Sequence, residues 1–226
     1  MNDVKKNKIY LSLAKVSSWT GLSRIFGLIR DVVTTNLLGA SVFHDIFVVT
    51  LKIPNLFRRF FAEGAFNQAF IPIYSDYKKG NDEKNTQEFI NSLAGSFLSI
   101  LFLFTILVRL ITPIFIFIFA PGFYYDDSKR IIAIDLLRIM FPYLALISLV
   151  SFASGIQNTH EKFSIPAFTP LIFNITLIVA AIFIAPRINL PVYALAWGVL
   201  IAGFLQLLIH IYALKNINRL PTPKIN

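Results

Sequence analysis

Cationic side chains lie inside two apolar segments near the start of the chain. One segment, SRIFGLIRD, begins at Ser23, and the other, LKIPNLFRR, begins at Leu51. A cation at the centre of a bilayer costs about 2.5–3.5 kcal/mol even on the more lenient insertion scale, so the cluster indicates a wet cavity with an anionic ligand. Because guanidinium groups match phosphate oxygens and keep their charge, the expected ligand is a phosphorylated lipid or a similar anion.

The first charged segment has the periodicity of an amphipathic helix. At about 100° per residue, one stripe roughly 140° wide holds its polar residues: Ser17, Thr20, Ser23, Arg24, Gly27, Arg30, Asp31, Thr34 and Thr35. This stripe predicts a transmembrane helix whose polar face contacts protein or water. In the alternative, Arg24 or Arg30 only neutralises Asp31 and the stripe packs against other helices. Because two arginines lie near only one acid, part of the positive charge has no carboxylate to neutralise it.

The second charged segment allows two geometries. Asp45, Lys52 and Arg59 recur at seven-residue spacing and share a face if the helix continues through Pro54. A helix broken at Pro54 would instead place backbone and cations around a cavity. Arg58 and Arg59 could also extend to water at a cytoplasmic helix end.

The remaining ionisable residues predict no catalytic, metal or cofactor site. Glu63 could pair with an arginine, gate the cavity or cap a helix turn, whereas Arg109, Asp135 and Arg138 are expected in structural pairs or at an interface. The three histidines are isolated, without metal-binding spacing, a phosphate-cradling glycine loop or a serine elbow. The sequence therefore does not indicate an enzyme, and its lack of cysteine excludes disulfides and thiolate metal sites.

The composition indicates an all-α integral membrane protein. Of the 226 residues, 56% are hydrophobic and 15% are charged, and the mean hydropathy is +0.67, which is too apolar for a soluble domain. No apolar run alternates with the period of two that a membrane barrel requires. The net charge of +9 does not predict nucleic-acid binding, because the basic residues lie in short loops and apolar segments rather than in one soluble patch.

About six transmembrane helices are predicted. Four are clear by length, since about 20 residues cross the hydrocarbon, whereas the first two carry internal charges. Their approximate ranges, in a single transmembrane domain of residues 1–226, are 9–38, 42–61, 89–119, 131–155, 167–185 and 192–214. Lysine and arginine accumulate at both termini and in the loops near Lys78 and Lys162, which predicts that both termini are cytoplasmic.

Four stretches of this sequence resemble the MurJ/MviN lipid II flippases of bacterial peptidoglycan synthesis: SRIFGLIRD, DIFVVTLKIPNLFRRFFAEGAFNQAFIPIYSDY, FPYLALISL and NTHEKFSIPAFTPLIFN. The resemblance implies a lobe of the MOP-exporter fold in the inner membrane, which moves lipid II between leaflets by alternating access. It also implies substrate-binding roles for the cavity arginines Arg24, Arg30 and Arg58 and for their polar neighbours Ser23, Asp31, Asp45, Asn55 and Glu63.

The chain departs from the family in length. The resemblance implies fourteen transmembrane helices, whereas this sequence ends after the sixth predicted one, so it corresponds to the N-terminal lobe. Three alternatives could account for the short chain: half of a split gene, a decayed gene product, or a fragment that assembles with a second polypeptide. The expected partners are lipid II or a similar polyprenyl pyrophosphate, membrane lipids and a chain that supplies the C-terminal lobe. The rival functions are a non-transporting scaffold and an exporter of small amphiphiles.

Overall fold

The chain folds into helices joined by short connections. The computed structural model describes the backbone of residues 3–63, 65–80 and 82–224, and the side chains of residues 10, 13–61, 68–80 and 82–224. Within these residues there is no strand, which confirms the predicted all-α class. Four helical segments are long and apolar enough to cross a membrane: 83–110, 127–159, 164–187 and 191–216. The two charged segments do not meet these criteria, so the count of six stays a prediction.

The described part of the chain contains ten α-helices. They are α1 Asp3–Leu38, α2 Val42–Arg58, α3 Ala65–Lys79, α4 Glu83–Leu110, α5 Thr112–Phe119, α6 Pro121–Tyr124, α7 Asp127–Met140, α8 Tyr143–Thr159, α9 Ser164–Val179 and α10 Pro191–Asn216. A π-helical turn, Arg59–Glu63, follows α2, and another, Ala180–Ile184, extends α9.

Local sequence signals set several helix ends. Ser41, Asp82 and Asp126 precede α2, α4 and α7, and each accepts a hydrogen bond from a backbone N–H in the first turn. Gly39 has a positive φ of 62° and donates its N–H to the Thr35 carbonyl, which ends α1. These signals turn the chain sharply from α1 into α2.

Of the two geometries that the sequence allows at Pro54, the structure has the continuous helix. Pro54 is buried inside α2, which continues to Arg58 because α2 is supported by α7 and α8 along its length. Breaks occur at other prolines: Pro142 separates α7 from α8, and Pro113 lies in the first turn of α5. The predicted span 89–119 is therefore two helices, α4 and α5, whereas the predicted span 131–155 lies within the apolar segment 127–159, which Pro142 divides into α7 and α8.

Two apolar clusters hold the helices together. The larger joins α2, α7, α8 and α10 through fully buried side chains such as Leu136, Met140 and Leu144. The second joins α3, α4 and α8 around Tyr74 and Ile156. Helices α4, α8 and α10 contribute buried residues to both clusters and therefore join them.

Helix α1 packs mainly against α9, as its amphipathic pattern predicts. Its polar residues Ser23 and Thr34 are buried, and Trp19 meets Phe168 edge to face at 4.9 Å. The opposite face exposes large apolar side chains, among them Leu22, Ile25, Leu28 and Val32. Because α1 touches α2 only slightly, the two helices leave a space between them.

Candidate functional site

A cavity of about 920 Å³ fills the space between α1, α2, α8, α9 and α10. Four cationic side chains line it, namely Arg30 from α1, Lys52 and Arg58 from α2, and Arg59 from the π-helical turn. The only carboxylate among its described lining residues is Asp31. The cavity therefore has the excess positive charge that the sequence predicts, and it suits an anion.

The Arg30 side chain extends from α1 to α9 and forms hydrogen bonds with a residue of each helix. Its Nε and Nη2 donate to Asp31 Oδ1 at 2.9 and 2.6 Å, and its Nη1 donates to Asn174 Oδ1 at 2.9 Å. The guanidinium also lies 5.8 Å from the Phe173 ring centroid, within cation–π range. Of the two sequence alternatives, the ion pair with Asp31 thus forms at Arg30, and among the described residues Lys52 and Arg59 contribute positive charge without an ion pair.

Asn174 is a site residue that the sequence reasoning missed. While its Oδ1 accepts from Arg30, its Nδ2 donates to the Ser23 carbonyl at 2.9 Å. Gly27 lies beside the same amide group, where an added Cβ would be in ordinary contact at 3.5 Å. Asn174 is buried and joins α9 to α1. A buried amide in the middle of an apolar span is the signal that could have found it.

The α2 residues divide into cavity and non-cavity positions. Asn55 and Arg58 line the cavity and are half-buried, and Lys52 and Arg59 line it with exposed side chains. In the described part of the chain, Lys52 and Arg59 form no ion pair or side-chain hydrogen bond. The predicted site residue Asp45 is not among the cavity residues. It lies exposed in the first turn of α2, where a carboxylate complements the helix dipole.

Arg24 lies in a second, smaller pocket. Together with Thr20 and Ser23 it lines about 540 Å³ beside the start of α9, and Pro170 lines both this pocket and the main cavity. Arg24 is exposed and makes no ion pair among the described residues. Six residues of helix separate it from Arg30, about 9 Å along the axis. The structure therefore puts Arg24 next to the cavity rather than within it.

The remaining sequence predictions are settled only in part. The side chain of Glu63 lies outside the described residues. Asp135 accepts from the Tyr193 hydroxyl at 3.2 Å rather than pairing with Arg138, and Arg109 donates to the Arg138 carbonyl at 3.4 Å. The pair that the spacing of Asp135 and Arg138 suggested is therefore absent among the described residues, and Arg109, Asp135 and Arg138 lie away from the cavity.

Comparison with known proteins gives a consistent result. The family model described as lipid II flippase MurJ matches residues 34–226, a range that starts after Arg30 and includes Asn55 and Arg58. A "Probable lipid II flippase MurJ" of Buchnera aphidicola subsp. Acyrthosiphon pisum is 44% identical over 95% of the chain, and the "Lipid II flippase MurJ" of Burkholderia cenocepacia is 38% identical over 96%. A "Probable lipid II flippase MurJ" of Haemophilus influenzae is 38% identical over 91%. In each case the chain spans 42% of the relative's length.

Proposed function

This chain belongs to the lipid II flippase MurJ family, and we propose that it forms the cationic N-terminal lobe of such a flippase. In this proposal the lobe binds the pyrophosphate of lipid II and carries it from the cytoplasmic to the outer leaflet of the bacterial inner membrane. The observation that carries the proposal is the cavity of about 920 Å³, whose described lining includes four cations and one carboxylate, beside four apolar spans in the part of the chain that the structure describes.

The arginines suit this substrate because of their donor geometry. A guanidinium has five N–H donors, and Arg30 uses three of them on Asp31 and Asn174. Two donors remain for phosphate oxygens, and the Asn174 contact fixes the plane of the group before substrate arrives. Preorganised donors replace the hydration that the pyrophosphate loses without further ordering of the side chain.

Asp31 limits the charge of the empty cavity. It pairs with Arg30 through an exposed carboxylate, 64% accessible, so solvent can take over its hydrogen bonds when an anion binds. The incoming pyrophosphate then competes for a guanidinium that is already oriented. This arrangement favours reversible binding, which a carrier needs in order to release its cargo.

The orientation and assembly are part of the same proposal. The lysine and arginine distribution supports cytoplasmic termini. A complete flippase of the relatives' length needs further helices, which a second lobe would supply opposite α1 and α2. The names of the relatives support transport of lipid II over the scaffold and small-amphiphile alternatives, and they support a carrier rather than an enzyme.

Charge reversal at the cavity tests the proposal. In cells that depend on this chain in its native membrane context, Arg58→Glu is expected to abolish lipid II translocation while membrane insertion and protein amount stay unchanged. Arg24→Glu tests the neighbouring pocket in the same way. Arg109→Glu is the matched control, since Arg109 is an exposed arginine of a spanning helix outside the cavity. Normal translocation in Arg58→Glu and Arg24→Glu would contradict the proposal.

A further inference from the structure

A buried polar cluster lies in the helix core behind the cationic cavity. His210 of α10 is fully buried, and around it are Gln157 of α8, Thr169 of α9 and Gln206 of α10, none more than 5% exposed. Such groups are costly in an apolar span, and none of them belongs to the charged set that holds the proposed substrate. The cluster therefore calls for its own explanation.

The hydrogen bonds define the protonation state of the ring. Thr169 Oγ1 donates its single hydrogen to the Ile165 carbonyl at 2.8 Å, so its 2.7 Å contact with His210 Nε2 requires an N–H on Nε2. Gln157 Nε2, an amide nitrogen that can only donate, lies 2.7 Å from His210 Nδ1. Nδ1 therefore accepts, and His210 is neutral in this arrangement.

The neutral arrangement leaves acceptors unused. Gln157 Oε1 and Gln206 Oε1 are both buried without a hydrogen-bond partner among the described residues. A buried carbonyl oxygen left in this way costs free energy. A half-turn of the Gln157 amide would exchange its nitrogen and oxygen and aim Oε1 at Nδ1, which satisfies the oxygen only if Nδ1 carries a proton. Gln157 Oε1 can therefore accept a hydrogen bond from a charged His210 ring.

Access to the cluster exists from two sides. Gln157 lines a pocket of about 410 Å³ that also holds Lys15, Glu161 and Lys162, at the proposed cytoplasmic end of the bundle. On the other side, Thr169 and Gln206 line the cationic cavity. His210 lies between these residues and joins them by hydrogen bonds. Water in the 410 Å³ pocket can bring a proton to the ring.

We propose that His210 is a proton-binding site within the membrane-spanning region, which takes up one proton on Nδ1 from the pocket beside Gln157 as the Gln157 amide turns to accept it. The proton comes from water, no other bond breaks, and the ring gains one positive charge. That charge lies directly behind Thr169 and Gln206 in the cavity wall. Proton occupancy therefore changes the field that an anionic cargo meets.

Charged and titratable groups face the cluster from both sides. On the pocket side these are Lys15 of α1 and Glu161 and Lys162 after α8. On the cavity side they are Arg30, Asp31, His44, Lys52, Arg58 and Arg59. An anionic cargo among the cavity cations favours the charged ring, and an empty cavity disfavours it. Proton uptake is therefore expected to accompany substrate binding.

Nitrogen NMR of the full chain in lipid nanodiscs tests the site without any transport assay. With ¹⁵N-labelled histidine and glutamine, the His210 signals are those lost in His210→Asn. Between about pH 8 and about pH 4, a range that extends below the one in which an exposed histidine switches charge, Nδ1 is expected to become protonated and the Gln157 amide signal to shift. Gln157→Met removes the acceptor at similar volume, so the charged-to-neutral ratio of the ring at the lower pH is expected to fall at least about tenfold.

Two further variants make the test decisive. Gln157→Glu supplies an acceptor and a charge, and it is expected to increase the charged fraction at both pH values. Ser148→Ala is the control, because Ser148 is a fully buried polar residue of the same helix outside the cluster, and it is expected to leave the ratio unchanged. A ring that stays neutral throughout, or titrates identically in Gln157→Met and Gln157→Glu, overturns the proposal whether or not the chain carries lipid II.

Discussion

At the scale of single residues, the sequence predicted the kind of site but not the contacts that hold its side chains. Arg30 and Arg58 were predicted as site residues because a cation in an apolar segment is costly unless a partner or ligand stabilises it. The sequence could not show what else holds the Arg30 guanidinium, since its second contact is Asn174, which lies 144 positions away. It also grouped Asp45 with Lys52 by spacing alone. Spacing gives the face of a helix, but not how far along the helix the cavity extends.

Asn174 is expected to position Arg30 for substrate. In Asn174→Leu the guanidinium loses one of its fixed contacts and α9 loses its bond to the Ser23 carbonyl. Because a hydrogen bond to a charged group contributes about 1.5–3 kcal/mol, affinity for a polyprenyl pyrophosphate is expected to fall at least about tenfold. Binding of a short-chain lipid pyrophosphate to the purified chain measures this. Thr176→Val, which removes a side-chain hydrogen bond elsewhere on α9, is the control. Equal affinities in the two variants would be evidence against the role.

His160 is expected to make stability depend on pH. Its Nε2 lies 2.9 Å from the Tyr74 hydroxyl, and burial, with smaller effects of Lys78 and Arg219, lowers the pKa of His160 from 6.5 to about 4. The unfolded chain therefore binds a proton at a higher pH than the folded chain. The stabilisation is complete above about pH 6.5 and is lost as the pH falls toward 4.

Comparing the wild-type chain with His160→Gln isolates this contribution. Denaturant unfolding at several pH values is expected to show a stability difference that shrinks as the pH falls from 6.5 to 4. All other titrating groups cancel in the difference as long as they are unaffected by the substitution. Two parallel stability curves across this range would contradict the assignment.

At the scale of helices, hydropathy predicted the apolar spans and failed at their interruptions. The four clear spans are present, because a long apolar run has few other stable arrangements in a bilayer. The breaks depend on tertiary support instead: α2 continues through Pro54, whereas Pro142 separates α7 from α8. A proline removes one backbone donor in every case, and the neighbouring helices decide whether the helix continues.

A further element, residues 217–224, was not predicted at all. This segment has no helical hydrogen bonds of its own and runs along α4, where Thr222 N–H donates to Asn91 Oδ1 at 2.8 Å and Lys224 N–H donates to the Asn91 carbonyl at 3.1 Å. Gln87 Nε2 donates to the Leu220 carbonyl at 3.1 Å. The segment ties the end of α10 to α4.

Gly95 is expected to be required for this attachment. A Cβ at Gly95 would collide with the Lys224 backbone, which cannot move aside as the end of a flexible side chain could. Gly95→Ala should therefore release the segment, with faster amide exchange at Thr222 and Lys224 and a loss of about 1–2 kcal/mol of stability. Gly21→Ala is the matched control, since Gly21 lies in a helix with no atom within 4 Å of the added Cβ. Unchanged exchange in Gly95→Ala would show that the attachment does not need the glycine.

At the scale of the whole chain, the arrangement is a helical lobe with a charged cavity on one side. The apolar clusters hold α2, α3, α4, α7, α8 and α10 together, whereas α1 is held chiefly by α9 and leaves its apolar face exposed. The sequence predicted the class and the lobe from composition and from resemblance. It could not predict the cavity, because that space depends on how little α1 and α2 touch.

The most direct test of the account is a ¹⁵N–³¹P distance measurement by solid-state NMR. The chain carries ¹⁵N-labelled arginine in bilayers that contain a polyprenyl pyrophosphate. Hydrogen-bonded guanidinium and phosphate groups place nitrogen and phosphorus about 4 Å apart. The account predicts such contacts for guanidinium groups of the cavity, with the corresponding signals lost in Arg30→Gln and Arg58→Gln and retained in Arg109→Gln. Contacts that are absent, or that persist unchanged when both cavity arginines are replaced, would contradict it.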